Sequence, residues 1–101
     1  MLDGYYYENY GDHINQDFSL WYLDKKNAKL MIKYEKDFGI LSLEKKKKPL
    51  RVYSSEEFNC HIEEGIQDGV AGKFPKDLAK KILKEKSIEE IRIVLDEFFE
   101  R

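Results

Sequence analysis

A thiol and an imidazole stand side by side at Cys60 and His61, the two groups from which an activated thiolate is built. Their spacing argues against that use. On a helix, sequence neighbours point about 100° apart, so the pair cannot hydrogen-bond as nucleophile and base without the one other imidazole, His13. No nucleophile motif surrounds Cys60, and a structural or surface thiol is the expectation. Zinc asks for about four ligands, which one Cys and two His do not supply. His61 and Glu64, at helical spacing, would need two further carboxylates. Neither a metal nor a cofactor is expected.

Gly69-Val70-Ala71-Gly72-Lys73 resembles the end of a phosphate-binding loop. Gln67 stands where the motif needs Gly, and Phe74 where it needs the Ser or Thr that holds magnesium. A helix C-cap followed by a loop accounts better for the glycines. Glu56-Glu57, Glu63-Glu64 and Glu89-Glu90 pair carboxylates, but a chain with 20 acids places such pairs on solvated helix faces without any catalytic role. No Gly-x-Ser-x-Gly elbow, dinucleotide-binding glycine pattern or His-Glu-x-x-His helix occurs. The expectation is a protein that is not an enzyme.

Two stretches could bind. Tyr5, Tyr6, Tyr7, Glu8, Tyr10 and Asp12 form a Tyr-rich acidic start. Consecutive residues of a strand alternate faces, so some of these rings would be exposed, and exposed Tyr beside acids suits a protein interface. The competing reading turns Tyr6 inward and half covers its neighbours. Glu63, Glu64 and Asp68, with Glu56 and Glu57, put an acidic face on a predicted helix, which suits a partner with a basic surface. Lys45, Lys46, Lys47 and Lys48 could instead contact nucleic-acid phosphates, with Trp21, Tyr22 and Tyr34 as stacking aromatics. The net charge of −2 opposes a general affinity for nucleic acid.

Charge is segregated along the chain. Residues 1–24 carry five acids and no base, 25–53 ten bases and three acids, 54–72 five acids and no base, and 73–101 eight bases and seven acids. If these blocks stay apart in space they make a polarised surface that steers charged partners. If they lie side by side they neutralise one another.

The elements that must position these groups follow from side-chain period. Leu2–Tyr10 reads as a Tyr-rich strand. In the next, Phe18, Leu20 and Tyr22 alternate with Ser19, Trp21 and Leu23, and in the third Leu30, Ile32 and Tyr34 alternate with Lys29, Lys33 and Glu35. Met31 is the exception to that alternation. Ile40–Glu44 and Leu50–Tyr53 are shorter strands on either side of the Lys run and Pro49. At Ser54 the period changes. Ser54 and Glu57 fit a capping box, followed by Phe58, Ile62, Ile66 and Val70 at every fourth position. Gly65 and Gly69 beside that stripe would let another backbone approach, and Gly72 could end the helix in the left-handed conformation. Pro75 opens a second helix with Leu78, Ala79, Ile82 and Leu83 inward, and Ser87 with Glu90 caps a third.

The expected structure is therefore one α+β domain over 1–101. It has an antiparallel four- or five-stranded meander over about residues 4–53, followed by three helices at about 54–72, 75–86 and 88–100 packed on one face. Its 101 residues suffice for one core, no apolar run spans a bilayer, the start lacks a secretory signal and the single Cys forms no internal disulfide. These features suggest a cytoplasmic protein. The expected role is a non-catalytic protein-binding module, such as an inhibitor, immunity or anti-defence protein blocking a larger bacterial or phage target. A small nucleic-acid-binding regulator using the Lys45–Lys48 loop is the alternative.

Overall fold

A computed structural model describes residues 2–10, 17–35, 39–40, 49–84 and 88–99. Six strands, β1 (Gly4–Tyr10), β2 (Asp17–Leu23), β3 (Asn27–Glu35), β4 (Gly39–Ile40), β5 (Arg51–Ser54) and β6 (Ala71–Lys73), form one antiparallel sheet. Three helices accompany it: α1 (Ser55–Asp68), α2 (Lys76–Leu83) and α3 (Ile88–Phe99). The path across the sheet is β4-β3-β2-β1-β6, and β5 shares the outer edge of β3 with β4. This is the expected α+β class, strand-rich first and helix-rich second. The expected strand Ile40–Glu44 is described only at its start, and Ser87 lies outside the described residues.

A bulge in β3 decides how the sheet is covered. Leu20 pairs with Ile32 and Trp21 with Leu30, so Met31 is the extra residue. Without it, Ala28, Leu30, Ile32 and Tyr34 would share one face. With it, Ile32 and Tyr34 join Phe18 and Leu20 under α2 and α3, together with Phe74, Ala79, Ile82, Ile91, Val94 and Leu95. Ala28 and Leu30 join Tyr6, Trp21 and Leu23 under Ile62 of α1 on the opposite face. The helices are thus divided between the two faces rather than gathered on one. Both faces of β2 are consequently apolar, with Leu20 and Trp21 buried on opposite sides.

Helix α1 begins where the period change places it, with the Ser54 hydroxyl accepting the Glu57 N–H at 3.4 Å. It ends at Gly69 (φ 81°), three residues before Gly72, because Gly69 takes the left-handed conformation and its N–H closes on Gly65 and Ile66 carbonyls. Gly72 instead lies in β6, an edge strand, paired with Tyr7. A Cβ at Gly72 would come within 2.9 Å of the Tyr7 ring, so the glycine makes room for that ring. Pro75 caps α2 from just outside it, as a residue without an N–H can.

Polar groups fasten α1 to the sheet. Asn59 accepts the Leu2 N–H at 2.7 Å and donates to the Ser55 carbonyl, while the Ser55 hydroxyl donates to the Asp24 carbonyl at 2.9 Å. Asp24 also organises the β2–β3 turn. Its carboxylate accepts the Asn27 and Lys26 N–H groups at 2.8 Å each, and these two bonds hold its carboxyl below the ordinary value of 3.8. A lowered folded-state value means that this contribution is present above pH 3.8 and is lost as pH falls through the lower value. Asp24→Ala is expected to lower the urea midpoint at pH 7, with the gap from wild type narrowing below pH 3.8. A gap that stays constant into acid would contradict that role.

Candidate functional site

Helix α1 leaves open the part of the sheet that carries Ser19 and Lys33, while its His61 covers Glu8. A cleft of about 310 Å³ occupies that position, bounded by α1 at His61 and by β5 at Arg51 and Tyr53. Trp21 and Leu30, each 6% exposed, contribute apolar wall. Strand period explains the placement of Arg51 and Tyr53: two residues apart on β5, they share a face, and Arg51 Nη1 donates to the Tyr53 hydroxyl at 3.5 Å. Aromatic packing fixes one wall. The Trp21 and Phe58 centroids lie 4.0 Å apart, Trp21 and Tyr53 5.7 Å, and Phe58 and His61 5.1 Å.

Glu8 is 4% exposed, and its carboxylate meets His61 Nε2 at 2.6 Å. An ionised carboxylate only accepts, so against it Nε2 carries the hydrogen and Nδ1 is the basic atom of a neutral ring. The pair can orient an imidazole at the cleft. Cys60, exposed on α1, does not line the cleft, so its neighbour His61 is oriented by a carboxylate rather than matched to the thiol.

The Tyr-rich start does not present its rings as one surface. Strand β1 lies between β2 and β6. Tyr6 is buried beneath α1, and Tyr7 packs against Phe18, Phe74, Phe98 and Phe99 on the opposite face. Tyr5 is half-buried with its ring 5.0 Å from that of Tyr22. Burial pushes the phenols of Tyr5 and Tyr7 above their ordinary value, with Tyr22 adding to the effect at Tyr5. Tyr10 pairs with Asp17 through its backbone. The arrangement is the one with Tyr6 inward and its neighbours half covered.

Glu63, Glu64 and Asp68 are exposed on α1, with Glu56 and Glu57. They are separate from the Tyr rings in the cores. Asp12, His13 and Lys45–Lys48 lie outside the described residues. Of the suggested stacking aromatics, Trp21 and Tyr34 are buried and Tyr22 packs on Tyr5. Among the described residues no group of three or more His, Cys, Asp or Glu is placed to hold a metal ion. No helix there is long and apolar enough to cross a membrane.

Sequence reasoning missed the cleft. Alternation did offer a signal for Glu8, which must share the face of Tyr6. Nothing local joins Glu8 to His61, 53 residues later, or brings Tyr53 beside Trp21. Compared with known proteins, the chain matches no family model, no curated protein and no solved structure.

Proposed function

We propose that the chain is a non-catalytic protein-binding module that engages a partner's basic surface through the outer face of α1, in the manner of an inhibitor that blocks a larger target. One observation carries this reading: Glu56, Glu57, Glu63, Glu64 and Asp68 are all exposed, with no Lys or Arg anywhere from 54 to 72. A helix face of one sign accelerates encounter with an oppositely charged surface and disfavours wrong partners.

The test is affinity capture from the source cell with nuclease treatment, comparing wild type with the Glu63→Lys, Glu64→Lys, Asp68→Lys triple variant. A stoichiometric, nuclease-resistant protein is expected on the wild type, with affinity for the purified partner reduced about tenfold or more by charge reversal and weakened by salt. All three positions are exposed, and circular dichroism checks that the fold is retained. Recovery of nucleic acid alone, or a protein partner held equally well by the triple variant, would overturn the reading.

A further inference from the structure

We propose that β5 is a self-association edge: two copies of the chain pair antiparallel along it, about a two-fold axis at Val52, and join their sheets into one. The edge is separate from the acidic outer face of α1, and neither reading depends on the other.

All four residues of β5 are exposed, and among the described residues the strand pairs with β3 alone. Its other side is an open edge. The Ser55 N–H bonds to the Lys26 carbonyl at 3.2 Å, so at the two-residue period Tyr53 and Arg51 also turn their main-chain groups to β3, while Val52 and Ser54 turn theirs outward. The Ser54 carbonyl, at the N-cap, already begins the hydrogen-bond series of α1. Within β5, Val52 is thus the residue that offers both an N–H and a C=O to a further strand. Side chains mark the same place. Four large apolar side chains are exposed among the described residues, and two of them, Val52 at 55% and Tyr53 at 39%, are neighbours on β5. They point to opposite faces of the sheet, so no single helix covers both, whereas a strand laid along the edge covers part of each.

A second copy fits this edge in one register. With the two Val52 residues opposite each other, their N–H and C=O groups exchange a pair of hydrogen bonds at the axis, and their β-branched side chains meet on the face that carries Lys29. One residue to either side, Arg51 faces Tyr53 of the second copy at the closer, non-hydrogen-bonded spacing of about 4.5 Å. Arg51 Nη1 already reaches its own Tyr53 hydroxyl at 3.5 Å, and the ring of the second copy offers its guanidinium an aromatic face. No like charges come opposite each other. A register centred on Tyr53 would instead set Val52 against Ser54, whose carbonyl α1 uses. The axis stands perpendicular to the sheet and keeps each face on its own side, so the α1 helices of both copies lie on the same side of the joined sheet. An edge of four residues covers less than the roughly 1,200 Å² at which stable interfaces begin, so the dimer is a weak one.

Sedimentation equilibrium of the full chain, from about 10 μM to about 1 mM, is expected to show monomer and dimer with a dissociation constant of about 0.1–1 mM. Val52→Lys sets two ammonium groups face to face at the axis and should weaken the dimer by about tenfold or more. Ile93→Lys, at the 57% exposed side chain of α3, should leave it unchanged. Both side chains are exposed, and circular dichroism checks each variant. Cross-linking reads the register independently. With Cys60→Ser removing the one native thiol, Val52→Cys should form an intermolecular disulfide under mild oxidation much faster than Ile93→Cys does. The proposal fails if the folded protein stays monomeric up to about 1 mM, or if Val52→Lys and Ile93→Lys weaken association equally. It also fails if Val52→Lys leaves the dimer intact, or if Val52→Cys cross-links no faster than Ile93→Cys.

Discussion

Phe18→Ala is expected to lower the free energy of unfolding by about 3–5 kcal/mol, a large share of the roughly 5–15 kcal/mol that stabilises a domain. Phe18 is wholly buried on the face that α2 and α3 cover. Its ring lies 5.8 Å from Phe74, 6.3 Å from Phe99 and 6.4 Å from Tyr7, so one side chain joins β2 to β1, to α3 and to the segment entering α2. Truncation removes the transfer free energy of the ring and leaves a cavity. The surrounding aromatics cannot close it cheaply, because they pack against one another: Phe74 and Phe98 lie 4.9 Å apart, as do Phe98 and Phe99. Urea unfolding at equilibrium measures the loss, with an unchanged slope showing that the same surface is exposed. A cost below about 1 kcal/mol would mean that the helices do not close over this face.

The same phenylalanine shows what local pattern conveys. Phe18, Leu20 and Tyr22 alternate with Ser19, Trp21 and Leu23, and the structure keeps both sets on the faces that alternation assigns. What the pattern left open was whether each face is covered. Leu30 and Ile32, two apart on a strand, look like one face, yet the Met31 bulge puts them on two. Met31 stood out in the sequence as an apolar residue out of phase. Its consequence, a division of the helices between faces, is a tertiary property, because the bulge exists only in the pairing with β2. Edge strand β6 was hidden for a related reason. Its three residues include Gly72, a poor strand former, and take extended form through pairing with β1. The start of α1 was more legible, since Ser54 carries its own cap chemistry, whereas its end was expected at Gly72 and lies at Gly69, because either glycine can take the left-handed conformation and Gly72 is drawn into pairing with Tyr7. The Tyr-rich strand misled in a different way. Exposed Tyr would favour an interface, but a central strand with helices on both sides has few exposed positions to offer.

A coupling between two elements is expected at Gly65 of α1 and Ala71 of β6. A Cβ at Gly65 would lie 2.8 Å from the Ala71 Cβ, closer than two carbon atoms can approach, while its next neighbours, Val70 Cγ2 at 3.7 Å and Ala71 Cα at 3.9 Å, are at ordinary contact distance. The glycine thus sets how closely α1 lies on β6. Two effects oppose each other in Gly65→Ala. Helix propensity favours Ala by about 1 kcal/mol, and overpacking costs about 1–3 kcal/mol. Backbone atoms hold both sides of the contact, and a Cβ cannot rotate away, so overpacking wins and the variant is less stable. Ala71→Gly removes the one atom in conflict and, alone, costs about 1 kcal/mol for a more flexible strand residue. With Gly at 71, Gly65→Ala should be neutral or stabilising. Unfolding the four proteins in urea then gives a coupling of about 1–3 kcal/mol in favour of the double variant, the overpacking cost that is relieved. Additivity within about 0.5 kcal/mol would show that α1 and β6 do not meet at these two residues.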